Sequence, residues 1–362
     1  MNRTLNAAFP ALGLTIALMG GPGLLPILAV PEAVAQTRPQ DFLTEGVQKL
    51  EAEDYAGAIA DLTRAIELDP TLTEAYTARG IARHRSDDYV GAVADFTKVL
   101  EIQPENSQVY GLRALDYLYL QEYQAAIADF NRVIEENPRD ADAYMLRAEA
   151  HTELGEFERG IRDYNRAIEL APDNPTFYRR RGQSRARSGD YPGSIEDFNR
   201  VLELDANDAL AYVFRGNAYD DRQDQEAALA DYEKALELDP NLAQAYYNRG
   251  ITRRRLEDYR GAIADYTKAI EFNPTDTNSY LNRGVAYALL EQFPDAIADY
   301  TQAIRFNPNL GEAYYNRGLT YQRMGDSQSA RADFQQAAQL YQRQGLTRKY
   351  QDAIEAIENL IR

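Results

Sequence analysis

An arginine recurs every 34 residues through most of the chain, and an aspartate recurs with the same period. The arginines are Arg79, Arg113, Arg147, Arg181, Arg215, Arg249, Arg283 and Arg317. The aspartates are Asp61, Asp95, Asp129, Asp163, Asp197, Asp231, Asp265, Asp299 and Asp333. Guanidinium and carboxylate groups form strong, charge-assisted pairs, whereas unpaired charges at a helix contact are costly to bury. The two series therefore predict a structural ladder of ion pairs, and not a catalytic site.

Two pairings of this ladder are possible, between neighbouring repeats or within one repeat. The first repeat has Glu45 where the other repeats have arginine. If each arginine contacts the aspartate of the preceding repeat, the first repeat needs no arginine. We therefore expect pairs between repeats, beginning with Arg79–Asp61, and keep pairing within a repeat as the alternative.

Other residue types that could do chemistry do not form a recognisable active site. The two histidines, His84 and His151, lie in different repeats and without nearby partner motifs. The glycines and carboxylates recur with the repeat, so neither a phosphate loop nor a pair of catalytic carboxylates stands out. The chain has no cysteine, which excludes thiolate nucleophiles and cysteine metal sites. The sequence predicts no enzyme, no cofactor and no metal site; a catalytic or carbohydrate-active role is the alternative.

The period itself defines the elements that carry these residues. Nine copies follow one another without insertion: 39–72, 73–106, 107–140, 141–174, 175–208, 209–242, 243–276, 277–310 and 311–344. In the seventh copy Ala262, Tyr266 and Ala269 are spaced by four and three, which places them on one helical face. Pro274 ends that helix, because the residue before a proline is pushed out of the α region. Each copy reads as a helical hairpin that must stack on its neighbours to bury its apolar face.

This pattern resembles the tetratricopeptide repeat (TPR) family at the positions that define it. The seventh copy carries the family residues Tyr246, Gly250, Ala262, Tyr266, Ala269 and Pro274. The resemblance implies an all-α, right-handed superhelical α-solenoid of helix-turn-helix hairpins. Residues 345–362 then form a C-terminal capping helix, with Tyr350, Ile354, Ile357 and Ile361 on one stripe. The family usually has an apolar residue, commonly leucine, where this chain has its periodic arginine.

The resemblance also implies a peptide-binding surface, because first helices line the concave side in this family. Asn248, Asn282 and Asn316 occupy one inward position in repeats seven to nine, and Tyr247 and Tyr315 precede two of them. An amide side chain both donates and accepts hydrogen bonds, so it can hold a peptide backbone of any sequence. The alternative is that Asn-Arg-Gly is only a recurrent helix sequence of this subfamily.

Two clusters of arginine could add an acidic preference to that surface. They comprise Arg179, Arg180, Arg185 and Arg187 in repeat five, and Arg253, Arg254 and Arg255 in repeat seven. We expect Arg179, Arg180, Arg187, Arg254 and Arg255 to contact an acidic segment or a C-terminal carboxylate. A solvated charged face is the alternative, and the family's carboxylate-binding pattern is matched poorly.

The N-terminal residues indicate where the protein is located, and the net charge indicates which classes of partner it does not bind. Residues 1–35 combine Arg3, an apolar stretch and a small-residue site before Gln36, which is typical of a cleaved signal peptide. Residues 36–38 form a short lead. A retained membrane anchor is the alternative. The formal net charge of −18 argues against nucleic acid and anionic membrane surfaces as partners.

Together these features predict a non-catalytic protein-interaction scaffold or assembly adaptor that binds a protein or peptide. Its expected location is periplasmic, lumenal or extracellular, or membrane-anchored if the signal segment is retained.

Overall fold

The computed structural model describes residues 38–360, which contain helices and no strand. The predicted signal segment, residues 36 and 37, and Ile361 of the predicted cap stripe lie outside the described residues. The first nine helices are α1 Pro39–Glu51, α2 Tyr55–Leu68, α3 Thr73–Arg85, α4 Tyr89–Ile102, α5 Ser107–Tyr119, α6 Tyr123–Glu136, α7 Ala141–Glu153, α8 Phe157–Leu170 and α9 Pro175–Ser188. The others are α10 Tyr191–Leu204, α11 Ala209–Asp221, α12 Gln225–Leu238, α13 Ala243–Arg255, α14 Tyr259–Phe272, α15 Thr277–Leu289, α16 Phe293–Phe306, α17 Gly311–Arg323, α18 Ser327–Arg343 and α19 Thr347–Asn359.

These helices form two compact units, of which the first ends at Ser188 and the second begins at Gly189. The first unit contains α1–α9 and the second contains α10–α19. Within each unit every helix packs on the next one along the chain. The predicted all-α architecture of stacked helical hairpins is confirmed, while the hand of the superhelix stays a prediction.

A short turn that contains one residue with a positive φ reverses the chain inside each hairpin. In the seventh repeat Glu257 has a φ of 62°, a left-handed conformation that ends α13. The side chain of Asp258 then accepts a hydrogen bond from the backbone N–H of Gly261 at 2.9 Å. That bond satisfies one of the free N–H groups at the start of α14. The left-handed turn and the aspartate cap together set the antiparallel course of the two helices.

The two helices of a hairpin approach closely because a small residue faces an aromatic ring. A Cβ atom added to Gly250 would lie 2.8 Å from Cε1 of Tyr266, a fully buried ring. In the first unit the same addition to Gly80 would lie 2.6 Å from Cε1 of Phe96. The eighth residue of the repeat therefore packs directly on the twenty-fourth residue of the same repeat. This contact fixes the rotation of each first helix against its second helix.

The last helix, α19, covers the apolar face of α18. Ala353 and Ala356 are buried at this contact, against Ala337 and Phe334 among others. Ile354 is partly buried beside them. None of the helices in residues 38–360 has the length and apolar character needed to cross a bilayer.

Candidate functional site

The first helices of the second unit form a continuous row. Helix α11 contacts α13, α13 contacts α15, and α15 contacts α17, in addition to their contacts with the second helices. We call α11, α13, α15 and α17 the first-helix row. It carries Tyr247, Asn248, Arg254 and Arg255 on α13, Asn282 on α15, and Tyr315 and Asn316 on α17.

In seven pairs a ladder arginine contacts the aspartate of its own repeat. The seven pairs are Arg79–Asp95, Arg113–Asp129, Arg147–Asp163, Arg215–Asp231, Arg249–Asp265, Arg283–Asp299 and Arg317–Asp333. In one of them Arg283 donates through Nε and Nη2 to the two carboxylate oxygens of Asp299, at 2.7 and 2.8 Å. The predicted pairing between repeats, beginning with Arg79–Asp61, is therefore wrong. Arg181 belongs to the first unit and Asp197 to the second.

The reason for this pairing is the glycine–aromatic contact described above. Because residue eight packs on residue twenty-four, the neighbouring residues seven and twenty-three also meet within the repeat. Asp61 is not left alone in the first repeat, because Lys49 supplies the cation at 2.6 Å. Glu45 was therefore a misleading clue to the pairing.

Seven ladder arginines still link neighbouring repeats, through a hydrogen bond that the sequence pattern did not predict. Arg283 donates from Nη1 to the hydroxyl of Thr267 in the preceding repeat, at 2.9 Å. In the first unit Arg147 donates in the same way to Oδ1 of Asn131, at 2.7 Å. The guanidinium also lies over the ring of a tyrosine one turn earlier, 5.6 Å from Tyr280 in the case of Arg283. The ladder arginine is thus enclosed by its own protein and is not available to a ligand.

Burial and pairing act in opposite directions on the ladder carboxylates. Burial raises the pKa of Asp299, although the hydrogen bonds from Arg283 oppose the rise. In a neighbouring pair the hydrogen bond to Asp231 raises the pKa of the Arg215 guanidinium. The pairs hold charge in a partly buried position, and loss of one partner leaves the other charge uncompensated.

Asn248 uses its amide N–H group inside the protein. Its Nδ2 donates to Oδ1 of Asn217 on α11, at 2.7 Å. The same oxygen accepts a hydrogen bond from the hydroxyl of Tyr232 at 2.9 Å. Asn248 therefore joins two neighbouring first helices. Its side-chain carbonyl oxygen, Oδ1, accepts no hydrogen bond from residues 38–360.

Asn282 and Tyr247, both predicted site residues, contact each other. Nδ2 of Asn282 donates to the hydroxyl of Tyr247 at 3.2 Å and to the backbone carbonyl of Asn278 at 3.0 Å. These bonds use both N–H groups of the Asn282 amide. Like Asn248, Asn282 keeps its carbonyl oxygen as an acceptor.

Asn316 differs from the other two asparagines. Among the described residues its side chain makes no hydrogen bond, and it is partly exposed. Together with Tyr315 it lines a cavity of about 200 Å³ between α17, α18 and α19. Asn316 is the predicted asparagine whose whole amide is available to a ligand.

The predicted arginines of repeat five lie on α9 in the first unit and face carboxylates of the preceding repeat. Arg187 donates to Glu153 at 2.5 Å, and Arg180 lies 3.8 Å from Glu149. Burial raises the pKa of Glu149, and the charge of Arg180 opposes that rise. Arg179 is partly exposed on the same helix. The sequence analysis missed these two carboxylates, although both lie on α7, the first helix of the repeat that precedes the arginines.

The arginines of repeat seven have similar surroundings in the second unit. Arg255 pairs with Asp220, a buried carboxylate of α11. Arg254 lies beside the hydroxyl of Tyr266; burial raises the pKa of Tyr266 to about 12 and Arg254 opposes that rise. The positive excess expected from the sequence is therefore partly compensated by acids already in place. Binding of an acidic ligand by these arginines stays a prediction.

Both histidines are members of buried or half-buried polar pairs. His84 Nδ1 lies 2.6 Å from Oδ1 of Asp116, and both side chains are buried. Burial raises the pKa of Asp116 to about 6, although His84 opposes the rise. His151 Nδ1 lies 2.7 Å from Oε2 of Glu156. The described residues contain no group of three or more potential metal ligands.

Comparison with known proteins identifies the repeat. Models described as Tetratricopeptide repeat match residues 43–107, 112–175, 243–276, 265–298 and 311–343, and a model described as TPR repeat matches 216–256 and 287–325. No curated protein matches the chain significantly.

Solved structures show the same fold. A tetratricopeptide repeat protein from Parabacteroides merdae is 20% identical over 68% of this chain and 98% of its own, with a TM-score of 0.57. The APC/C hetero-tetramer Cut9–Hcn1 is 15% identical over 89% of this chain and 63% of its own, with a TM-score of 0.54. At these identities the likeness concerns the fold alone. The family models and the all-helical hairpin architecture agree, and the chain belongs to the tetratricopeptide repeat family.

Proposed function

We propose that this protein is a non-catalytic interaction scaffold that binds an extended segment of a partner protein along the first-helix row. The observation that carries the proposal is the free amide of Asn316 beside Tyr315, at a cavity on the end of that row. Membership of a repeat family made of stacked hairpins supports it, because such stacks present long surfaces to partners.

The row offers hydrogen-bonding groups suited to a peptide backbone. The side-chain amide of Asn316 can both donate and accept hydrogen bonds. Asn248 and Asn282 each keep a side-chain carbonyl oxygen that can accept one. Carbonyl oxygens accept from peptide N–H groups, whatever the side chains of the peptide are. We therefore place the strongest backbone contact at Asn316 and weaker, acceptor-only contacts at Asn248 and Asn282.

Recognition of an acidic segment is a second proposal, separate from binding along the first-helix row. Arg187, whose side chain is 46% exposed, can exchange Glu153 for a ligand carboxylate at little cost. Arg255 pairs with the buried Asp220. If Arg255 turned to a ligand carboxylate, the charge of Asp220 would be left buried and uncompensated. Arg187 is accordingly the better candidate for such a contact.

We also propose that the protein acts outside the cytoplasm, because residues 1–35 have the order of a signal peptide. N-terminal sequencing of the mature protein tests this. A start at Gln36 supports export with cleavage, and a retained segment supports the membrane-anchored alternative.

The binding proposal is tested by capture of partners from the exported fraction. The combined variant Asn248→Ala, Asn282→Ala, Asn316→Ala is compared with the wild type and with a control. The control variant carries Lys234→Ala, Lys268→Ala and Gln335→Ala, three substitutions on second helices. Loss of a partner from the asparagine variant alone supports the proposal. Equal capture by all three proteins, or equal loss from both variants, contradicts it.

A further inference from the structure

The cavity beside Asn316 is built by the last repeat together with the capping helix. Its walls are Glu312, Tyr315 and Asn316 from α17, Tyr341 from α18, and Lys349 and Asp352 from α19. Its volume of about 200 Å³ is large enough for one long side chain. The repeat period ends before α19, so no other hairpin of the chain has the same arrangement of residues in its sequence.

Two tyrosine hydroxyl groups at this cavity have no hydrogen-bond partner among residues 38–360. Tyr341 is 4% exposed, and its hydroxyl makes no hydrogen bond to any of residues 38–360. The Tyr315 hydroxyl is also without one in that part of the chain. Burial raises the pKa of Tyr341, with Glu312 adding to the rise, so this hydroxyl remains a protonated donor. A hydroxyl without a protein partner, carried by a buried side chain in a cavity wall, is available to a polar ligand.

The charges around the cavity favour a cation. Glu312 and Asp352 lie in the wall, and the charges of Asp352 and Glu355 add to the rise that burial causes in the pKa of Tyr315. One cation of the protein is already there: Lys349 Nζ lies 3.6 Å from Oε2 of Glu312 and 5.8 Å from the centre of the Tyr341 ring.

That resident ion pair is weak. The side chains of Lys349 and Glu312 are 52% and 50% exposed. Exposed pairs contribute little to stability, since water and salt screen them. A ligand cation can therefore replace Lys349 against the carboxylate and the aromatic ring without unfolding the site.

We propose that this cavity binds a lysine or arginine side chain of the extended segment, with Lys349 as the cation it displaces. The inference rests on the proposed function, because Asn316 in the same wall would hold the backbone of that segment. Glu312 and Asp352 would neutralise the ligand charge, and Tyr341 would donate to a neighbouring carbonyl. The preference is opposite in sign to the acidic one expected from the arginine clusters.

The test uses fluorescent nonapeptide libraries whose central residue is fixed as arginine, lysine, norleucine or glutamate. All libraries are acetylated at the N-terminus, and one further norleucine library has a free amino group. Fluorescence polarisation with the mature chain, residues 36–362, measures binding at low and high salt. We expect the arginine and lysine libraries to bind at least fivefold more tightly than acetylated norleucine, with the advantage falling as salt rises.

Four variants separate the cavity from general electrostatics. The double change Glu312→Gln, Asp352→Asn should abolish the advantage of the basic libraries, while Glu358→Gln on the same helix should keep it. Lys349→Ala should tighten the binding of basic libraries severalfold, and Arg348→Ala, which removes the same charge next to it, should change it less than twofold.

Several results would overturn the inference. Equal binding of the arginine and norleucine libraries would show that the cavity has no preference for a cation. Tighter binding of the free-amine library alone would show that the cavity binds an N-terminal amine. Weaker binding by Lys349→Ala contradicts displacement. If Asn316→Ala abolishes binding of every library while none prefers a basic residue, this inference fails and the proposed function stands. If no library binds and partner capture is also unaffected by the asparagines, both fail.

Discussion

Replacement of Arg283 by leucine, the residue usual in the family, should destabilise the second unit substantially. Arg283 donates two hydrogen bonds to Asp299 and one to Thr267, all between 2.7 and 2.9 Å. The variant leaves the carboxylate of Asp299 at 5% exposure without its cation. Removal of one partner from a buried pair costs about 3–5 kcal/mol of unfolding free energy. We expect a loss in that range for Arg283→Leu.

A double-mutant cycle identifies the partner on which this cost depends. Arg283→Leu combined with Asp299→Ala should cost at least about 2 kcal/mol less than the sum of the single changes, because the two residues contact each other. Arg283→Leu combined with Asp265→Ala, the aspartate of the preceding repeat, should be additive within about 0.5 kcal/mol. Lys268→Ala breaks an exposed pair with Glu271 and should have a much smaller effect than Arg283→Leu.

Hydrogen exchange is the appropriate assay, because repeat arrays do not always unfold in one step. The opening free energies of α15 and α16 are measured for each variant and compared with urea midpoints. Strong coupling between Arg283 and Asp265, or a cost of Arg283→Leu as small as that of Lys268→Ala, would refute the assignment of the ladder.

Three further substitutions test other features of the fold. Asp116→Asn should reduce the pH dependence of stability. Burial raises the pKa of Asp116 from 3.8 to about 6, so its contribution is fully present below pH 3.8 and is lost as pH rises through 6, by about 3 kcal/mol in total. About half of that loss falls between pH 5 and pH 8, where urea midpoints of the two proteins are compared, and an unchanged difference in the variant contradicts the prediction. Gly250→Ala should cost about 1–3 kcal/mol in thermal unfolding, since the new Cβ would lie 2.8 Å from the Tyr266 ring; a neutral result would show that the ring moves aside freely. Glu257→Gly should be neutral or stabilise by up to about 1 kcal/mol, because the residue has a φ of 62°; clear destabilisation would mean that the Glu257 side chain has a stabilising contact.

The 34-residue period was sufficient to predict the helical hairpins, because spacing of apolar and small residues fixes the buried face of each helix. The sequence also contained the information needed to predict how the ladder residues pair. Gly250 and Tyr266 are family positions of one hairpin; they pack on each other and so bring the adjoining Arg249 and Asp265 together. The single departure at Glu45 favours the other pairing, and this indication is misleading because Lys49 supplies the cation for Asp61.

The candidate site was less predictable, because its properties depend on pairs of residues that are far apart in the sequence. Asn248 and Asn316 occupy the same repeat position, yet Asn248 binds Asn217 of the preceding repeat and Asn316 has no partner in the described chain. Asn217 is present in repeat six only, so the period gives no sign of that bond. The cavity beside Asn316 depends on α19, which lies after the last repeat and follows no period.

The most direct test of the central claim is a photo-cross-linking comparison of two surfaces. A photoreactive phenylalanine analogue replaces Tyr315 on the first-helix row in one protein and Lys268, exposed on a second helix, in the other. Both proteins are mixed with the exported fraction and irradiated, and the cross-linked partner segment is identified by mass spectrometry. We predict a partner segment linked at position 315 that is absent at position 268 and is lost with Asn316→Ala. Equal linking at both positions, or linking at position 268 alone, would contradict binding along the first-helix row.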